Sequence, residues 1–126
     1  MSEITQYLSL SKEELETAEF LYNGKRYRSC ISRSYYAMFY SAQALLLLAG
    51  FDTSTHRAVI KLIGQHFVNT GKMNPEIGRF LGDTYELRQA SDYKANFLAD
   101  DTVAQTSLDN AKRFVGEVNK ILSKSE

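Results

Sequence analysis

Apolar residues recur at steps of three and four along nearly the whole chain, and no segment shows the period-two alternation of a half-buried strand. That pattern leaves helices as the building blocks. The first stripe is Ile4, Leu8, Ser11, Leu15, Ala18 and Tyr22, one face of a helix that Asn23-Gly24 ends. Ser11 is its polar member. Ser11 followed by Glu14 also reads as a capping box, so a break or restart at Ser11 is an alternative.

A second helix is expected over about residues 25–49, with Gly50 as its stop. Tyr27, Ile31, Ser34, Met38, Ala42, Leu45 and Ala49 form its stripe, and Tyr36, Phe39 and Leu46 widen it. A helix apolar on more than one side belongs at the centre of a bundle. Residues 52–55 offer N-caps for a third helix that runs through Val59, Ile63 and Phe67 to Gly71. Asn74-Pro75 is a cap followed by proline at the first helical position. The fourth helix ends near Tyr93, residues 94–99 are irregular, and Asp100 or Asp101 caps a fifth helix carrying Ala104, Leu108, Ala111, Val115, Val118 and Leu122. The expectation is one all-α domain over residues 1–126, an up-and-down bundle of about five helices.

Fifteen basic and fifteen acidic residues cancel. A zero net charge argues against coating nucleic acid by electrostatics alone, which needs a positive excess, but leaves room for a local basic patch. Cys30 is the sole cysteine, so no intramolecular disulfide can form. No signal peptide or membrane span is legible, and the expected location is the cytoplasm, with no membrane partner.

Phosphate-loop, zinc-protease and nucleophile-elbow motifs are absent, and no metal or cofactor is expected. Cys30, beside the second stripe, reads as a buried packing residue. His56 and His66 lie ten positions apart on one expected helix, about 15 Å along its axis, too far to share a metal. His56, in the first turn, reads as a surface or capping histidine, or else as a free base. His66 reads as packing. Arg33, Tyr35, Tyr36 and Tyr40 form a polar-aromatic cluster that either packs or stacks a nucleobase. Arg88 and Asp92 have ion-pair spacing along one helix, or either reaches across to a neighbouring helix. Gly78 and Gly82 clear a strip for a close helix approach, within the chain or across a dimer. The group Glu13, Glu14, Glu16 and Glu19 reads as the solvated face of the first helix.

Three ordered blocks resemble one family. Ser32-Arg33-Ser34-Tyr35-Tyr36-Ala37-Met38-Phe39, followed by Ala44-Leu45-Leu46, resembles the (N/S)R-x-YYA-x-F motif of the HEPN domain family. Thr55-His56 with Gln65-His66-Phe67-Val68-x-Thr70-Gly71-Lys72 is similar to the second block of its small stand-alone prokaryotic branch, whose function is uncharacterised. Leu87-Arg88-x-x-x-Asp92-Tyr93 is similar to the third block. The resemblance implies a helical bundle that forms a homodimer. It also implies a minimal nucleotidyltransferase partner, in a toxin–antitoxin or nucleotide-handling pair.

Many members of the family are metal-independent endoribonucleases that use an arginine followed, after four to six residues, by a histidine. Histidine would shuttle the 2′-OH proton and arginine would steady the phosphorane. This chain departs from that pattern: Arg57 and His66 are too far apart in sequence, and His56 precedes Arg57. The leading expectation is therefore a nucleotide- or RNA-binding module using Arg33, Tyr36, His56, Arg88, Asp92 and Tyr93. A structural or adaptor bundle comes next. A ribonuclease toxin with a rearranged site, using Arg33 and His56, comes third.

Overall fold

The computed structural model describes residues 2–124. It is an all-α bundle of five helices, α1 (Glu3–Asn23), α2 (Tyr27–Leu48), α3 (His56–Ile63), α4 (Pro75–Tyr93) and α5 (Asp101–Lys124), with a π-helical turn, Gly64–Val68, extending α3. No strand is present among the described residues. Helix α2 is the central element: 13 of its 22 residues are buried, and it packs on all four other helices. The breadth of its apolar surface requires this, because an outer helix would leave part of that surface in water.

Helix α2 runs antiparallel to α1 and to α4. Ser11 of α1 meets Ala37 of α2, whereas Tyr22 meets Tyr27. Arg28 of α2 reaches Ser91 and Phe97, whereas Arg88, a turn earlier on α4, lies over Tyr35 and Tyr36. The core is one large cluster around Tyr35, Met38, Phe39, Leu45, Ile63, Phe80 and Phe114, and a smaller one around Ala18, Cys30, Ile31, Ala104 and Leu108.

Several local expectations are refined by the geometry. Helix α1 is continuous through Ser11, which is buried and donates its hydroxyl to the Ala37 carbonyl at 2.7 Å. An acceptor on the neighbouring helix, not a cap, explains its polarity. Helix α2 starts at Tyr27, two residues after the expected point, because Lys25 takes a left-handed φ of 61°. The Arg26 amide donates to Leu21 and the Lys25 amide to Tyr22, closing α1 with a Schellman turn in which Lys25, not Gly24, is left-handed. Gly50, with φ 93°, closes α2 in the same way, as expected.

The third helix does not run as α-helix to Gly71. It widens after Ile63, and the Asn69 amide donates five residues back to Gly64. Asn74 caps α4, its side-chain oxygen accepting from the Glu76 and Ile77 amides. Asp100 is the cap of α5, accepting from the Val103 amide. The strip at Gly78 is filled inside the chain, by Val68 of the π-helical turn.

Candidate functional site

Helices α2, α3 and α4 bring one polar-aromatic cluster together. Its base is Tyr35, fully buried on α2, whose ring contacts those of Tyr36, Phe39, His56 and Tyr85. The side-chain direction follows from the α2 stripe: Tyr35 lies four positions before Phe39, one turn along the same face.

His56 sits over this base. Its expected role as a surface or capping histidine is not what the structure shows: Thr55 is the cap, and its hydroxyl oxygen accepts from the Ala58 amide. His56 is half-buried, its ring centre 4.6 Å from that of Phe39. The Tyr35 hydroxyl and His56 Nδ1 are hydrogen-bonded at 2.7 Å. Burial, and then the neighbouring Arg88 cation, hold the imidazole below its usual pKa. Burial likewise pushes the Tyr35 phenol up.

Two arginines converge on Tyr36. The Arg33 guanidinium carbon is 5.2 Å from the centre of the ring, and that of Arg88 is 5.1 Å away. Both distances are in cation–π range. Arg33 reaches the ring from one turn back on α2, and Arg88 arrives from α4. Each arginine also has a carboxylate. Arg33 donates to Glu14 of α1 at 2.7 Å. Glu14 is thereby removed from the expected solvated face, with only 15% of its side chain exposed. Arg88 pairs with Asp92 at 3.2 Å, the expected spacing along one helix, and Asp92 also accepts from Ser32 of α2 at 3.3 Å. The Arg88 Nε atom is buried and makes no aligned hydrogen bond among the described residues.

A groove of about 330 Å³ adjoins the cluster, lined by Arg28, Ser29, Ser32, Arg33 and Asp92. Arg28 donates to the carbonyls of Ser91 and Phe97, tying the start of α2 to the end of α4. On the other flank, Arg57 and Lys61 of α3 face Tyr85 and Glu86 of α4 across a second groove.

The structure thus gathers Arg33, Tyr36, His56, Arg88 and Asp92 in one patch. It leaves Tyr93 out: that side chain is 75% exposed and makes no hydrogen bond, ion pair or ring contact among the described residues. Tyr40 stacks on Tyr7 of α1 and also touches Tyr36. Cys30 is buried against Ser34 and the Ala104 carbonyl, and burial raises its thiol pKa, the reverse of nucleophile activation. His66 packs on Phe51 with ring centres 4.5 Å apart. No group of three metal-ligating side chains occurs among the described residues, and no helix there is long and apolar enough to cross a membrane. Glu14, Arg28 and Tyr85 were not legible as site residues. The contacts that bring them to the site, Glu14 with Arg33, Arg28 with Ser91 and Phe97, and Tyr85 with Tyr35 and His56, run between elements, and no spacing within one helix announces them.

The bundle and its patch define a small helical domain with arginines and one histidine collected around one buried and two half-buried tyrosines. Residues 4–121 match the HEPN domain model, and the chain belongs to that family. The chain is similar to two Methanocaldococcus jannaschii proteins. "Putative toxin MJ0605" is 35% identical over 120 residues, covering 95% of this chain and 89% of that protein. "Putative toxin MJ0142" is 30% identical over 120 residues, covering 95% and 82%. A Thermotoga maritima "UPF0332 protein" is 32% identical over 112 residues, covering 89% and 85%.

Proposed function

We propose that this chain is a toxin-type HEPN module that binds RNA or a nucleotide through Arg33, Tyr36, His56 and Arg88, with Asp92 holding Arg88 in place. It works as a homodimer with a nucleotidyltransferase partner in the cytoplasm. The observation that carries this reading is the convergence on Tyr36, where guanidinium groups from two helices lie 5.2 and 5.1 Å from one ring and the His56 ring lies 6.2 Å away. Guanidinium groups suit phosphate because their planar donors match its oxygens. The two neighbours named as toxins lend this reading its cellular role.

The test is filter binding of a mixed single-stranded RNA pool to purified chain, with EDTA present and the RNA recovered on a gel. Wild type is expected to bind, and Arg33→Ala or Arg88→Ala to bind about tenfold more weakly, the loss of one charge-assisted hydrogen bond of about 1.5 kcal/mol. The RNA is expected to be recovered whole. Unchanged affinity in both variants would sink the assigned site. Cut RNA in wild type, abolished by His56→Ala, would make the chain a ribonuclease.

A further inference from the structure

Among the described residues, the hydroxyl of Tyr35 has one place to put its proton. The side chain is fully buried, and among the described residues its oxygen has a single hydrogen-bond partner, His56 Nδ1 at 2.7 Å. A buried O–H without an acceptor bears the full desolvation penalty. Were Nδ1 to carry the imidazole proton and donate it, the phenolic proton would turn into the rings of Tyr36, Phe39 and Tyr85. Nδ1 is therefore the acceptor. A neutral imidazole with a bare Nδ1 carries its proton on Nε2, on the ring edge away from Tyr35. The phenol itself stays protonated, because burial raises its pKa. Among the described residues, the titratable and charged groups facing the His56 ring are Tyr35 and Tyr36 from α2 and Tyr85 and Arg88 from α4. None of these is a carboxylate that could draw a second proton onto the ring.

We infer that Tyr35 is a positioning residue that holds His56 as the Nε2–H tautomer, so that the imidazole adds a donor to the guanidinium groups of Arg33 and Arg88, and the three together select the oxyanion of a phosphate group. This rests on the RNA- or nucleotide-binding reading and narrows it to phosphate recognition. It also supplies a reason for binding without cleavage. A general base needs a bare Nε2 facing the 2′-OH, and in this tautomer that nitrogen already holds its proton. The same feature suits a phosphodiester oxygen, which accepts hydrogen bonds and has no proton to give.

The tautomer can be read directly by long-range ¹H–¹⁵N correlation on ¹⁵N-histidine-labelled full chain at mildly alkaline pH. The chain has two histidines, and the His66→Gln variant leaves His56 as the only imidazole for assignment. The expected spectrum has a bare Nδ1 and a protonated Nε2. A protonated Nδ1 in wild type overturns the role of Tyr35 and leaves RNA binding standing, because that is measured separately. Inorganic phosphate and a short single-stranded RNA are then titrated against the same signals. A response to both points to the oxyanion whatever its source, and a response to RNA alone points to the diester. A response to neither, with the tautomer as expected, overturns the ligand and the binding reading together. Tyr35→Phe is expected to give a mixed tautomer and several-fold weaker RNA binding. Should that variant fail to fold, the wild-type spectrum alone decides the tautomer.

Discussion

A Cβ built on Gly78 of α4 would overlap Cγ2 of Val68 in the π-helical turn, closer than real Cβ contacts come. At Gly82, one turn on, the nearest atom would be Ile60 Cγ2 at 3.6 Å, an ordinary contact. The two glycines therefore answer the same substitution with opposite signs. Gly78→Ala meets overpacking of about 1–3 kcal/mol, against which helix propensity returns about 1. Gly82→Ala keeps the propensity gain of up to about 1 kcal/mol. Denaturant melts of both variants give the comparison, and Val68→Ala in the Gly78→Ala background should recover most of the loss. Equal effects at the two glycines would mean that α4 is not seated on the π-helical turn.

Stability should fall in mild acid because of His56. Its folded pKa is depressed, by burial first and by Arg88 second, whereas the unfolded value is about 6.5. Below about 6.5 the unfolded chain binds more protons than the folded one, so stability drops as pH falls from there towards the folded value, and above it the contribution is constant. Melting temperatures from about pH 8 to pH 5.5 should show this slope, and His56→Gln should flatten it. The same slope in the variant would assign the effect to other groups.

Arg33 and Arg88 should separate when stability and binding are read together. The Arg33 side chain is 40% exposed and its pair with Glu14 is part-screened, so Arg33→Ala should cost at most about 1 kcal/mol of stability. Arg88 is 16% exposed and lies against two buried or half-buried tyrosine rings. Arg88→Ala should cost about 2 kcal/mol through lost packing and cation–π contact. Both should weaken RNA binding. Thermal melts beside filter binding test this, and an Arg33→Ala loss as large as that of Arg88→Ala would contradict the burial argument.

Asn74→Ala should destabilise by about 1 kcal/mol, because its side-chain oxygen serves two amides at the start of α4. Asn74→Asp keeps an acceptor at the positive end of the helix and should be near neutral. Urea melts distinguish these outcomes, and equal losses would remove the cap from the account.

Much of the scaffold was legible one helix at a time. The α2 stripe, the Gly50 stop, the Asn74-Pro75 start and the Asp100 cap all rest on interactions between residues within a few positions of each other. Such interactions leave periodic or short-range marks in a sequence. The Arg88–Asp92 pair was legible for the same reason. The widening at Gly64–Val68 was not, because α and π turns draw on the same residue types and the choice follows how the segment seats on α4.

The sequence by itself determined five helices, the ends marked by Gly50, Asn74 and Asp100, and a family resemblance carried by three blocks. Only the tertiary structure decided that Arg33, Tyr36, His56 and Arg88 share one patch, that Glu14 faces inward to Arg33, and that Tyr93 faces away. The physical reason is that helix formation is settled by neighbours within a turn. Convergence instead depends on how whole helices cross, which the summed packing of many buried side chains sets and no single spacing encodes.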